Sequence, residues 1–288
     1  MKSGVLGSLF LRVGAVNHAP SAPKQRNVFA MLLVHVGQVV PVSYLMRELW
    51  EDRLPVSGTT TLQTYVLNLR KWLASILDCT TDEIMRDVLM THAGGYSLQI
   101  GAEDFDVLVY SSLTAAGHDA LAANDHAAAV RLLEDALKVW RGPALADLTL
   151  GRVLESKRLQ FEESRLATLE CLVDAQFRLG RHREALTELA AATVANPLHE
   201  GLCAQYMRAL YLSGRRAQAL ATFQQLRDDL VSELGIEPGL PVQQVHQAIL
   251  NATAVLDVPV QREHRLRAVD GYCETPRLGR ARQGRSAI

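Results

Sequence analysis

The sequence predicts a mainly α protein with a small β component, and three observations carry that prediction. Apolar residues recur at helical spacing over most of the chain. Strand-like alternation and a hairpin signature are confined to the first hundred residues or so. One segment, from Leu179-Gly180-Arg181-His182, returns as Ser213-Gly214-Arg215-Arg216, with the two glycines 34 residues apart. The chain has 288 residues, 48% hydrophobic and 21% charged, enough apolar material for two domains and too much for a disordered chain. The boundaries expected are 1–102, 103–254 and a tail at 255–288.

Charge is balanced overall and segregated along the chain. Lys and Arg total 30 against 31 Asp and Glu, a formal net charge of −1, which excludes a polybasic coat protein. Residues 1–102 hold 9 basic and 7 acidic side chains, and residues 103–258 hold 14 and 21. Residues 259–288 hold 7 and 3. A mildly basic front on an acidic middle suits a division of labour in which only the front meets an anion.

In the front part, 5–13 reads as short strands with turns at Gly7-Ser8 and Gly14. The apolar run here is broken by Gly4, Gly7, Arg12 and Gly14, so it reads as structure and not as a signal peptide. A helix starts at Ala22-Pro23, where the missing proline N–H costs nothing. It carries Val28, Phe29, Leu32, Leu33 and Val36, with Gly37 at its C-cap. A second helix begins near Ser43 and carries Leu45, Met46, Leu49 and Trp50, and the segment 51–56 with Pro55 is a loop.

A third helix runs from Ser57 as N-cap to about Ile76. At 100° per residue, Leu62, Tyr65, Val66, Leu69, Trp72, Leu73 and Ile76 share one face. The opposite face carries Thr60, Gln63, Thr64, Leu67, Asn68 and Lys71, with Arg70 at its edge, and no Asp or Glu lies between Pro55 and Leu77. Short hydroxyls, amides and cations are the groups that hydrogen-bond base edges and phosphates. The pattern alone fits equally a polar surface that happens to lack acids. Two alternating runs, 87–91 and 96–100, flank His92-Ala93-Gly94-Gly95 and read as a hairpin. Strands, three helices and a hairpin describe a winged helix-turn-helix, whose third helix enters the major groove while the wing lies along the backbone.

The middle part predicts helices over 105–123, 126–140, 154–179, 183–195, 200–212, 217–234 and 242–254. Breaks fall at Gly142-Pro143, Gly180, Asn196-Pro197, Gly214 and 235–241. With the 34-residue period, this is a tetratricopeptide-like α-helical repeat domain, in which each helix pair buries its face only by stacking on the next. The tail carries Arg262, Arg265, Arg267, Arg277, Arg280, Arg282 and Arg285 without apolar periodicity. It reads as a solvated segment or, in a sharper reading, a non-specific DNA clamp.

Cys79, Cys171, Cys203 and Cys273 form no CxxC pair, so reduced thiols are expected and no metal site or disulfide framework. The nine His are scattered, with His35, His126, His182 and His246 in or beside helices. HExxH, GxSxG and GxGxxG are absent from any usable context, so neither enzyme activity nor a cofactor is expected. No apolar run reaches membrane-spanning length, so a cytoplasmic protein with no membrane partner is expected.

Lys24-Gln25-Arg26, the stretch 39–50, Thr60-Thr61-Leu62-Gln63-Thr64-Tyr65-Val66 and Leu69-Arg70-Lys71 resemble the DNA-binding domain of the Streptomyces antibiotic regulatory proteins. Thr91 to Gly95-Tyr96 resembles their wing. Trp140-Arg141-Gly142-Pro143-Ala144-Leu145-Ala146-Asp147 and Glu233-Leu234-Gly235-Ile236-Glu237-Pro238 resemble segments of the bacterial transcriptional activation domain that follows it. Together the two resemblances cover about residues 3–250. They imply an OmpR-type winged helix that activates genes of antibiotic or other secondary-metabolite biosynthesis. They further imply double-stranded DNA as tandem direct repeats near the −35 element, self-association on that DNA, and contact with RNA polymerase. No phosphate-loop motif is present, so the ATPase-bearing members of the family are excluded, and no receiver-like acidic cluster precedes the winged helix.

On this basis Thr60, Gln63, Thr64 and Asn68 are expected to face bases, and Arg70 and Lys71 to hold phosphates. Leu67 is expected either to touch a thymine methyl or to pack on a neighbouring protomer. Thr91 and His92 are the wing's candidates. The wing departs from the family pattern, because relatives carry an Arg and prolines before Gly-Tyr, which removes one phosphate contact here. That departure and the small positive charge of the front part motivate an alternative, a protein-interaction scaffold or ligand sensor with weakened DNA binding.

Overall fold

The structure, a computed structural model, describes residues 1–51 and 53–252. It opens on an antiparallel sheet of β1 (Lys2–Gly4), β2 (Phe10–Val13) and β3 (Val16–Asn17). The chain turns at Gly7-Ser8 and at Gly14 as expected, but Val5, Leu6 and Leu9 are not part of the strands. Their backbone groups are taken by side chains and turns of the helical domain. Asp106 accepts from the N–H of Val5 and of Leu6, both at 3.0 Å, and Asp147 accepts from that of Leu9 at 2.8 Å. The N–H groups of Leu145 and Arg141 donate to the carbonyls of Val5 and Leu6, each at 2.9 Å. Buried backbone groups must find partners, and here they find them about a hundred residues away.

Helix α1 (Pro23–Leu33) starts at the proline as expected, with Val28, Phe29, Leu32 and Leu33 buried. It ends before Val36, and Gly37 is not its cap: with φ +77° it donates its N–H to the Leu98 carbonyl at 2.8 Å. A short strand β4 (Val40–Pro41) leads into α2 (Val42–Trp50). Helix α3 (Gly58–Leu77) follows, with Ser57 in the N-cap position but making no side-chain cap bond. A one-turn helix α4 (Thr81–Glu83) carries a reciprocal capping box between Thr80 and Glu83. It widens into a π turn over Ile84–Val88, so Asp87 and Val88 are not extended as the sequence predicts.

The wing is the hairpin β5 (Leu89–His92) and β6 (Gly95–Leu98), with β4 closing a sheet in the order β4-β6-β5. Gly95 is demanded by close approach, since a Cβ there would stand 2.5 Å from the Val40 carbonyl oxygen.

The helical domain runs through α5 (Asp106–Ala122), α6 (His126–Lys138), α7 (Arg152–Arg178), α8 (His182–Ala195), α9 (Glu200–Leu212), α10 (Arg216–Leu234) and α11 (Leu240–Leu250). These follow the sequence expectation within a few residues. Gly180 and Gly214, the two points of the 34-residue repeat, both adopt the left-handed conformation that ends a helix, at φ +72° and +79°. The expected tail, 255–288, lies outside the described residues.

The composition boundary at 102 is not a boundary of the core. One hydrophobic cluster runs from Val5 and Leu11 through Phe29, Leu62 and Leu98 to Phe105, Tyr110, Trp140, Leu154 and Phe161. Polar bonds stitch the same seam. The Glu48 carboxylate of α2 is buried and accepts from the N–H of Gly151 at 2.7 Å and of Val153 and Leu154 at 3.0 Å, capping α7 from the other domain. Arg141 donates to Asp106 at 2.9 Å and to the Ser8 carbonyl at 2.9 Å, and lies over the Phe10 ring. Arg26 pairs with Asp147, and Asn27 donates to the Thr149 carbonyl at 2.7 Å. Burial raises the carboxyl pKa of both Glu48 and Asp106, while the bonds from the N–H groups and, for Asp106, Arg141 oppose it.

Candidate nucleic-acid interface

Helix α3 is oriented as its spacing predicts. Leu62, Val66, Leu69 and Leu73 are buried. Tyr65, Trp72 and Ile76 are half-buried at the edges of that face. Two aromatic contacts fix its roll: Tyr65 stacks on Trp50 with ring centroids 6.5 Å apart, and Trp72 meets Phe29 edge-on at 5.2 Å. Thr60, Gln63, Thr64 and Lys71 are exposed, and Asn68 is half-buried between them.

Among the described residues Gln63, Asn68 and Lys71 spend their side chains on no hydrogen bond or ion pair, so their donors and acceptors are available. Thr64 donates its hydroxyl proton to the Thr60 carbonyl at 3.0 Å, which turns its oxygen into an acceptor for an incoming amine. Leu67 is 44% exposed in the middle of this polar surface.

Arg70 corrects the sequence reading. Expected at the edge of the outward face as a phosphate-holding cation, it is only 8% exposed. Its Nε and Nη2 donate to the Leu89 carbonyl at 3.0 and 2.9 Å, and Nη2 also donates to Thr91 Oγ1 at 2.7 Å. The guanidinium carbon lies 5.9 Å from the Tyr96 ring centroid. Burial lowers its pKa from the ordinary arginine value, and the Tyr96 side chain opposes that. The side chain is long enough to fold back over the helix and satisfy a wing carbonyl, so Arg70 clamps the wing to α3.

Thr91 is exposed, with its hydroxyl accepting from Arg70. His92 is exposed at the wing tip, with Nε2 2.8 Å from Ser97 Oγ. Both therefore sit on the wing beside α3, but neither brings a permanent cation. Lys24 and Arg26 are engaged elsewhere: Lys24 donates to the Leu49 carbonyl at 2.8 Å and lies over the Trp50 ring, and Arg26 pairs with Asp147. Lys71 is thus the cation α3 presents outward.

Sequence reasoning missed the seam residues Glu48, Asp106 and Arg141. A signal existed for Glu48, a carboxylate on the same helical face as Leu45 and Leu49, where a solvated acid does not belong.

Comparison with known proteins adds to this geometry. The family model described as bacterial transcriptional activator domain matches residues 105–250. Regulatory protein DnrI of Streptomyces peucetius is 40% identical over 257 residues, which is 89% of this chain and 94% of that protein. The chain belongs to the Streptomyces antibiotic regulatory protein family. Transcriptional regulator RedD of Streptomyces coelicolor is 33% identical, covering 88% of this chain and 72% of its own length. A solved structure of Mycobacterium tuberculosis EmbR in complex with a low affinity phosphopeptide superposes with a TM-score of 0.79 at 31% identity. That match covers 88% of this chain and 65% of that one.

As a member of this family the protein is a transcriptional activator built as a winged helix plus helical domain. No helix among the described residues is long and apolar enough to cross a membrane. Among the same residues no group of three or more His, Cys, Asp and Glu side chains is placed to hold a metal ion. Cys79, Cys171 and Cys203 form no disulfide, and burial pushes the Cys203 thiol up to about 12.

Proposed function

We propose that this chain is a non-enzymatic, sequence-specific DNA-binding activator of secondary-metabolite biosynthesis genes. Helix α3 enters the major groove with Thr60, Gln63, Thr64 and Asn68 toward base edges and Lys71 on a phosphate. Leu67 meets either a thymine methyl or a neighbouring protomer, and Thr91 and His92 approach the backbone from the wing. The observation that carries this reading is the acid-free outer face of α3, whose amides and ammonium are uncommitted.

Two protomers on tandem direct repeats near the −35 element would sum the weak charge of each. Contact with RNA polymerase then completes activation. The α2–α3 loop supports a protein contact next to this surface, because Leu54 and Val56 are exposed there. DNase footprinting on the promoters beside the gene tests the reading. Protection of two adjacent repeats, lost in Lys71→Ala, is expected; no protection at any promoter would refute it.

The wing's lack of an arginine and the commitment of Arg70 to Leu89 favour a second reading, a protein-interaction scaffold or ligand sensor with residual DNA affinity. Under that reading residues 1–102 are retained on duplex DNA only weakly, and Lys71→Ala leaves that retention unchanged.

A further inference from the structure

A pocket of about 680 Å³ opens at the seam between the winged helix and the helical domain, away from the outer face of α3. Its walls come from the turn after α1, from α2 and the residue that follows it, and from the first turns of α7. Arg47, Arg152, Lys157 and His35 line it, together with Tyr44 and Ser156. Glu51 is the one carboxylate among its described lining residues. The N-terminal amides of α7 are already taken by Glu48, so the attraction of the pocket resides in its side chains.

Two features set this cluster apart from an ordinary solvated charge patch. Lys157 is half-buried, and no acid among the described residues lies within ion-pairing distance of it. Its pKa is lowered by burial alone. His35 is held by its Nδ1–H to the Met31 carbonyl at 2.8 Å, which leaves Nε2 as its remaining polar atom. Its pKa is lowered by burial and further by the Lys157 charge. Burial thus works against the Lys157 ammonium in a cavity that offers it no described acid within ion-pairing distance, a situation that an anion beside it would reverse.

The volume lies within the roughly 300–1,000 Å³ of small-molecule sites and exceeds what a lone inorganic ion needs. Guanidinium, ammonium and hydroxyl groups supplied by both α2 and α7 suit an oxyanion with several acceptor oxygens.

We propose that the seam pocket binds a small phosphate- or diphosphate-bearing molecule, held between Arg47 of the winged helix and Lys157 of the helical domain. The site stands whether or not α3 binds DNA. Because Arg47 and Lys157 belong to different domains, an occupant bridges the seam.

Isothermal titration of inorganic phosphate and of pyrophosphate into the full chain, at ionic strength held constant with chloride, tests the proposal. Saturable one-to-one binding is expected, weakened about tenfold or more in Lys157→Gln and in Arg47→Gln. Arg47 is exposed, so its variant keeps the fold if Lys157→Gln does not. No saturable binding of either probe, or binding unchanged in both variants, overturns the proposal. A DNA arm separates the sources of phosphate. If both probes fail while Lys157→Gln weakens duplex binding and flattens its salt dependence, the cations serve the DNA backbone and the small-molecule site is refuted.

Discussion

Replacing Arg70 by Met keeps the apolar stem and removes the guanidinium, which separates a wing clamp from a phosphate contact. In the clamp, three N–H contacts reach Leu89 and Thr91, and the Leu89 carbonyl is left buried without its charged donor when they go. An orphaned buried acceptor costs about 1–3 kcal/mol, and loss of the cation from the Tyr96 face adds about 0.5 kcal/mol. A total of about 1.5–3.5 kcal/mol lowers Tm by roughly 3–14 °C for a cooperative unit of this size.

The same variant should leave the salt dependence of DNA binding alone, because Arg70 neutralises no phosphate. Lys71→Met should do the reverse. It should melt within about 0.5 kcal/mol of the parent and reduce the slope of log K against log salt by about 0.9. Thermal unfolding by circular dichroism and fluorescence anisotropy over a salt series, run on both variants, read the two quantities. If Arg70→Met melts like the parent and flattens the salt slope, the clamp is wrong and Arg70 is a phosphate ligand.

Three further outcomes follow from the packing. Arg141→Ala strands the buried Asp106 carboxylate and frees the Ser8 carbonyl. Chemical denaturation should show a loss of about 2–4 kcal/mol, discounted from a fully buried pair because Arg141 is 37% exposed, and no loss would contradict the seam. Gly95→Ala drives a Cβ against the Val40 backbone, which cannot rotate away, so it should cost about 1–3 kcal/mol and be seen as exchange of the wing amides; a neutral result would contradict the wing geometry. His35 has a folded pKa below its ordinary 6.5, so the unfolded chain binds more protons there and stability falls as pH drops from 6.5 through the lowered value. His35→Gln should flatten the stability–pH curve in that window, and a curve parallel to the parent's would contradict the shift.

Periodicity made most of this fold legible. A 3.6-residue repeat sets which face of α3 is buried without knowledge of its partner, so Leu62, Leu69, Thr60 and Lys71 could be placed from sequence. The helical domain was equally readable, because its breaks at Gly180 and Gly214 are backbone requirements of the turn itself. Arg70 could not be read this way: a helical phase locates its Cα, whereas its side chain answers to a carbonyl 19 residues further on. Val5, Leu6 and Leu9 could not be read for the same reason, since the acceptors that draw them from strand pairing are Asp106 and Asp147. The π turn before the wing carries no apolar signature that separates it from a strand. Composition placed the domain boundary at 102, yet a continuous core with Glu48 as cap of α7 joins both sides. Long-range polar bonds of that kind leave no periodic trace in the chain.

The most direct test of the α3 interface is the base preference of Gln63→Ala. Anisotropy titrations against operator duplexes substituted one base pair at a time should show discrimination relaxed at a single position, by about 1–3 kcal/mol, and kept at the others. An unchanged preference at every position would mean that the amide face of α3 does not read the duplex.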